Sequence, residues 1–97
     1  MAKYISLVKY TKQGVENIKE SPKRYEAFRK LCESMGAKVE GIFLTMGRYD
    51  LVLILDAPDS ETAAKIMLST ASKGSVSTET LRAFPEKEYK KIIGALP

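Results

Sequence analysis

Histidine and tryptophan are absent from this chain, and cysteine occurs once, at Cys32. Without histidine, the usual general base of serine and cysteine nucleophile systems is missing, and so is the commonest zinc ligand. A lone cysteine closes no internal disulfide and builds no thiolate metal cluster, which points to a reducing compartment, the cytoplasm. Side-chain amides are limited to Gln13 and Asn17 beside abundant Lys and Glu, a bias found in heat-adapted proteins. No apolar run approaches the roughly 18 residues that cross a bilayer. The start, Met1-Ala2-Lys3-Tyr4, lacks the basic-then-apolar pattern of a secretory leader, so no membrane association is expected.

What is present is ordinary globular material. With 44% hydrophobic and 29% charged residues, the composition excludes a disordered tail or a fibrous repeat. Residues 1–97 suit one domain, and at that size only about two-thirds of the chain's surface is buried on folding, so a partner subunit would add to a modest core. The net charge of +4 arises from 16 basic against 12 acidic residues that are interspersed, which suits a solvated surface better than a nucleic-acid footprint.

Lys3 to Tyr10 reads as a strand followed by a loop at Thr11-Lys12-Gln13-Gly14. Its alternation sets Ile5 and Leu7 on one side and Tyr4, Ser6, Val8 and Tyr10 on the other. A helical turn over Val15 to Glu20 precedes a longer helix with Ser21 as N-cap and Pro22 at its first position. Tyr25, Phe28, Leu31, Cys32 and Met35 form that helix's apolar stripe, and Gly36 ends it.

Val39 to Met46 and Tyr49 to Asp56 are the arms of a hairpin turning at Gly47-Arg48, a register that sets Leu44 against Leu51, Phe43 against Val52 and Ile42 against Leu53. Ile42, Leu44, Leu51, Leu53 and Leu55 then suit burial beneath helices. Asp59-Ser60-Glu61 opens a second amphipathic helix with Ala63, Ile66, Met67 and Ala71 inward, ending near Gly74. Val76 to Phe84 is a fourth strand whose facing the alternation leaves open. After Pro85, Tyr89, Ile92, Ile93 and Leu96 stripe a short helix that docks on the domain edge or on a neighbouring subunit.

The order β-α-β-β-α-β predicts an α+β, ferredoxin-like domain: a four-stranded antiparallel sheet of order 4-1-3-2, helices on one face, and a further C-terminal helix. The other face is expected to expose Tyr4, Val8, Tyr10, Phe43, Val52 and Ile54. Such a patch is larger than a monomer usually leaves in water, and pairing two sheets about a two-fold axis into a dimeric α/β barrel would cover it.

Thr45-Met46-Gly47-Arg48-Tyr49-Asp50 at the hairpin and Thr78-Glu79-Thr80-Leu81-Arg82-Ala83-Phe84 in the fourth strand together resemble the GYD-domain family. Tyr10-Thr11 with Gly14, Glu20-Ser21-Pro22 and Asp56-Ala57-Pro58-Asp59 fit the same layout over nearly the whole chain, with Arg48 set between Gly47 and the Tyr49-Asp50 pair. The resemblance implies a dimeric α/β-barrel fold and assigns no reaction or cofactor.

The candidate ligand-binding residues are Tyr10, Thr45, Tyr49, Asp50 and Glu79. In this strand order Asp50 starts strand three beside the end of strand one, so a carboxylate, a hydroxyl and a phenol could meet at one mouth of the sheet. The plainer reading has Asp50 accepting backbone N–H groups after a tight turn and Tyr49 only packing. Glu79 offers a base or metal-binding carboxylate inside a barrel, or a structural ion-pair partner. An Asp50–Arg82 pair is not expected, because Arg82 lies at the opposite end of its strand. Cys32, on the apolar stripe, is expected to be a buried inert thiol. The functions that follow are a small-molecule-binding homodimer, a cofactor-free oxygenase or isomerase, or a regulatory interaction module.

Overall fold

Strand β1 (Ala2–Tyr10) carries apolar side chains on both of its faces, so it can be satisfied only at the centre of a sheet. In the computed structural model, which describes residues 1–97, it occupies that place. A short helix α1 (Lys12–Glu16) and a 3-10 turn (Ile18–Glu20) lead into α2 (Ser21–Ser34). The hairpin β2 (Lys38–Leu44) and β3 (Leu51–Ala57) follows, then α3 (Ser60–Ala71), β4 (Val76–Ala83) and α4 (Glu86–Gly94). The strands lie in the order β2-β3-β1-β4 with every neighbouring pair antiparallel, the expected 4-1-3-2 read from the other edge. In the single chain the sheet is open, with β2 and β4 as edges.

One face of the sheet meets α2 and α3. Phe28 and Cys32 from α2 and Ala63, Ile66 and Met67 from α3 close over Tyr4, Val8, Leu53, Leu55 and Ala57. Leu55 and Ile66 are fully buried, and each such side chain contributes about 1.5–3 kcal/mol of transfer free energy. Asp59 caps α3 by accepting the Thr62 N–H at 2.8 Å, as its position before Ser60-Glu61 predicts. The Cys32 thiol is buried on this stripe, and desolvation pushes its pKa up to about 11.

The facing of β1 reverses the expectation. Tyr4 and Val8 are only 4% and 2% exposed and lie under the helices, and Ile5 and Leu7 occupy the open face. The β1–β3 register explains it: Tyr4 pairs with Leu55 and Val8 with Leu51, while Ile5 pairs with Ile54 and Leu7 with Val52, and paired residues share a face. Burying the two tyrosines on the helix side is possible because each phenol finds a hydroxyl partner. Tyr4 Oη lies 2.8 Å from Ser60 Oγ and Tyr10 Oη lies 2.7 Å from Ser21 Oγ. The β4 register settles the facing left open by its sequence. Glu79 and Leu81 oppose Leu7 and Ile5 on the open face, and Thr80 opposes buried Ser6, with 3.1 Å between their hydroxyl oxygens.

Three further details differ from expectation. Thr11 to Gly14 is not a loop: Thr11 caps α1 by accepting the Gly14 N–H at 3.2 Å. Ser21 is the first residue of α2 and not its N-cap, because its hydroxyl is turned to Tyr10. The hairpin pairs Leu44–Leu51, Phe43–Val52 and Ile42–Leu53 as expected, but the ladder stops there, and Leu44 runs past the helices into solvent. Thr45–Asp50 therefore form a longer loop, and an irregularity between Val39 and Gly41 shifts the register further along β2.

Helix α4 buries none of its residues, so it does not dock on the body of its own chain. A radius of gyration of 14.5 Å, against about 12.5 Å for a compact chain of this length, agrees with a helix standing off the domain.

Candidate functional site

The end of β1 and the hairpin loop meet where the sequence places them, but the contacts there are mostly backbone contacts. Asp50 Oδ2 accepts the Tyr10 N–H at 2.9 Å, and the Asp50 N–H donates to Val8 O at 2.8 Å. The Thr45 N–H donates to Asp50 O at 2.8 Å and the Thr45 hydroxyl to Tyr49 O at 2.7 Å. Asp50 and Thr45 thus close the loop and fasten it to the end of β1, as the plainer reading of Asp50 has it. Tyr10 belongs elsewhere: its phenol points to the helix side, so it does not join Asp50 in one mouth.

Tyr49 and Glu79 do come together. The Tyr49 hydroxyl makes a long contact of 3.4 Å to Glu79 Oε1 across β1 on the open face. Lys9 Nζ and the Arg48 guanidinium lie 5.6 and 5.3 Å from the Tyr49 ring centre, within range of cation–π attraction. Sequence reasoning passed over Lys9 and Arg48, although alternation puts Lys9 on the same face as Leu7 and one step from Glu79. Asp50 and Glu79 form no group with a third acid or thiol that could hold a metal ion.

Opposite this cluster, at the far end of the open face, Lys3 Nζ pairs with Asp56 Oδ1 at 3.1 Å. A hydrogen bond with the Glu40 carboxyl, followed by the nearby Lys3 ammonium, holds Asp56 below the usual carboxylate range. Arg82 lies at this end of the sheet as expected, far from Asp50, but on the helix side, where it pairs with Tyr4. It donates to Lys3 O and Ala83 O and stacks over Phe84 at 4.4 Å and Tyr4 at 5.7 Å. Between the two charged ends runs an apolar band of Ile5, Leu7, Val52, Ile54, Phe43 and Leu81. The four central residues are half-buried, and Phe43 and Leu81 are 56% and 44% exposed.

Several basic residues of the helices pair with acids one turn away, while Lys30, Lys87 and Lys91 have no acidic partner. Arg29 is bound to Glu26 and Glu33 at 2.9 and 2.8 Å, Lys23 to Glu20 at 3.7 Å and Lys90 to Glu86 at 2.8 Å. Arg24 is held by backbone carbonyls and not by an acid. It turns inward and donates to Asn17 O at 2.9 Å and Gly14 O at 3.4 Å. No helix is long and apolar enough to cross a membrane.

An open antiparallel sheet with helices on one face and loop-borne Thr45, Tyr49 and Asp50 at its end defines a ferredoxin-like α+β protein. The GYD-domain family profile matches residues 4–93, and the chain belongs to that family. A Thermus thermophilus protein named glutamine synthetase and cystathionine beta-lyase binding protein is 37% identical over 86 residues, covering 88% of this chain and 90% of that protein. A crystal structure of a protein from Thermus thermophilus shares the fold with a TM-score of 0.56 at 23% identity, over 87% of this chain and 94% of the other. The de novo designed protein Ferredog-Diesel shares it with a TM-score of 0.53 at 12% identity, over 84% and 85% of the two chains.

Proposed function

We propose that this protein is a homodimeric interaction module that binds partner enzymes and transforms no substrate itself. One observation carries the reading: an apolar band on the uncovered sheet face, rimmed by charge at both ends. An apolar centre inside a polar rim is the anatomy of a protein interface. A two-fold axis makes such a band its own complement, and two sheets so paired pack about 10 Å apart. The unpartnered stripe of α4 gives each copy a second element to lay on its neighbour.

The helical surfaces remain outside this pairing and are free for other proteins. The name of the Thermus thermophilus relative supports that step, and glutamine synthetase and cystathionine beta-lyase are the first partners to try. The oxygenase or isomerase reading has less support, because Asp50 and Thr45 are engaged by backbone groups. We place the protein in the cytoplasm, where the free thiol of Cys32 would persist.

Light scattering after size exclusion, at micromolar concentration, should give at least twice the 10.8 kDa of one chain. Immobilised protein should capture one of the two purified enzymes. A monomer that binds neither would overturn the proposal.

A further inference from the structure

A cavity of about 130 Å³ lies on the helix side of the sheet, under α2 and α3 and on the opposite face from the apolar band. Its walls are apolar, with Val8, Leu53, Phe28 and Met67 among them. It opens to solvent on one side, where the exposed Ala27 and Lys73 lie, so it is an accessible cleft and not a void of the packed core. Apolar cavities of roughly 150 Å³ stay dry and accept a benzene ring, which sets the scale of what fits.

The charged residues lining the cavity are Arg24 and Lys73, and no carboxylate is among its walls. Neither cation has an acidic partner elsewhere in the chain. Arg24 uses two of its five N–H donors on Asn17 O and Gly14 O, which fixes the guanidinium while leaving donors for another acceptor. The Tyr10 and Ser21 hydroxyls, 2.7 Å apart, add a neutral donor and acceptor to the same wall. An oily chamber with unpaired positive charge in its lining matches a ligand that is apolar at one end and anionic at the other.

We infer that this cavity is a binding site for a small monocarboxylate carrying one aromatic ring or a short branched chain. The apolar part fills the space against Phe28 and Met67, and the carboxylate lies against Arg24 and Lys73. The site is independent of the sheet-face pairing proposed above, since the two lie on opposite sides of the sheet.

The test is an NMR titration of the full chain, labelled on methyl and amide groups, with benzoate and phenylacetate and with neutral benzyl alcohol as comparison. Saturable shifts should concentrate on Val8, Phe28, Leu53 and Met67, and the carboxylates should bind more tightly than the alcohol. Lys73→Gln alters an exposed side chain with no role in folding contacts. It should weaken carboxylate binding about fivefold and leave benzyl alcohol unchanged. Three results would each overturn the inference: no saturable shift up to millimolar ligand, shifts confined to the Tyr49–Glu79 side of the sheet, or equal affinity for the neutral alcohol.

Discussion

Truncating Phe43 tests the proposed sheet-face interface at a residue that contributes little to its own fold. Phe43 is 56% exposed in the single chain. An aromatic side chain presents about 200 Å², so roughly 110 Å² of it is still available for burial by a partner. Phe43→Ala removes about 80 Å² of that, worth about 2 kcal/mol per copy at ~25 cal/mol per Å². In the proposed dimer a two-fold axis would apply the loss twice, so if both rings are covered the pair loses about 4 kcal/mol, or roughly a thousandfold in dissociation constant. The cost to the protomer itself is about 1 kcal/mol, because more than half of the residue is already in solvent. Sedimentation equilibrium over a wide concentration range measures the first quantity, and thermal melting at dilution measures the second. A dissociation constant within a few-fold of the parent's would refute the assignment of this face to self-association.

Three other outcomes follow from the geometry. Asp50→Ala leaves the Tyr10 N–H without its acceptor and should cost about 1–3 kcal/mol in denaturant unfolding, whereas Asp50→Asn keeps an acceptor oxygen and should come close to the parent; equal losses for both would reinstate a role for the charge. Gly14→Ala sets a methyl against the Ser75 carbonyl and should lower stability by about 2 kcal/mol or more, while Gly94→Ala, in open space, should not. The Cys32 thiol, raised from 9.0 to about 11, stays protonated in the folded chain at pH values where the unfolded chain ionises. Its contribution is therefore complete below pH 9 and is lost as pH rises toward 11, about 3 kcal/mol at most. Cys32→Val should flatten the alkaline decline in stability, and an unchanged decline would refute the account.

The parts of this fold legible in the sequence are those set by neighbours in the chain. The hairpin register near the turn follows from Gly47, with its positive φ of 113°, set midway between two apolar runs. The stripe from Tyr25 to Met35 and the Asp59 cap follow from helical spacing and local hydrogen bonding. The facing of β1 did not follow, because Tyr4 and Val8 are no more obviously inward than Ile5 and Leu7. The choice is made by pairing with β3, some fifty residues away, and by the hydroxyls of Ser60 and Ser21. At the candidate site the closeness of Asp50 to the end of β1 was readable from strand order. The distribution of its hydrogen bonds was not, and neither was the inward turn of Arg24, whose acceptors are backbone carbonyls that no residue identity reveals.

The irregularity in β2 bears on how copies of this chain can assemble. Between Val39 and Gly41 the regular spacing of backbone donors and acceptors is broken, so the outer side of this strand offers a poor template for a foreign strand. Association by adding strand to strand grows without limit and ends in fibres, whereas contact through a flat surface about a dyad is finished at two. A single extra residue in a border strand thus works against polymerisation, which matters for a small protein with so much oily surface left uncovered.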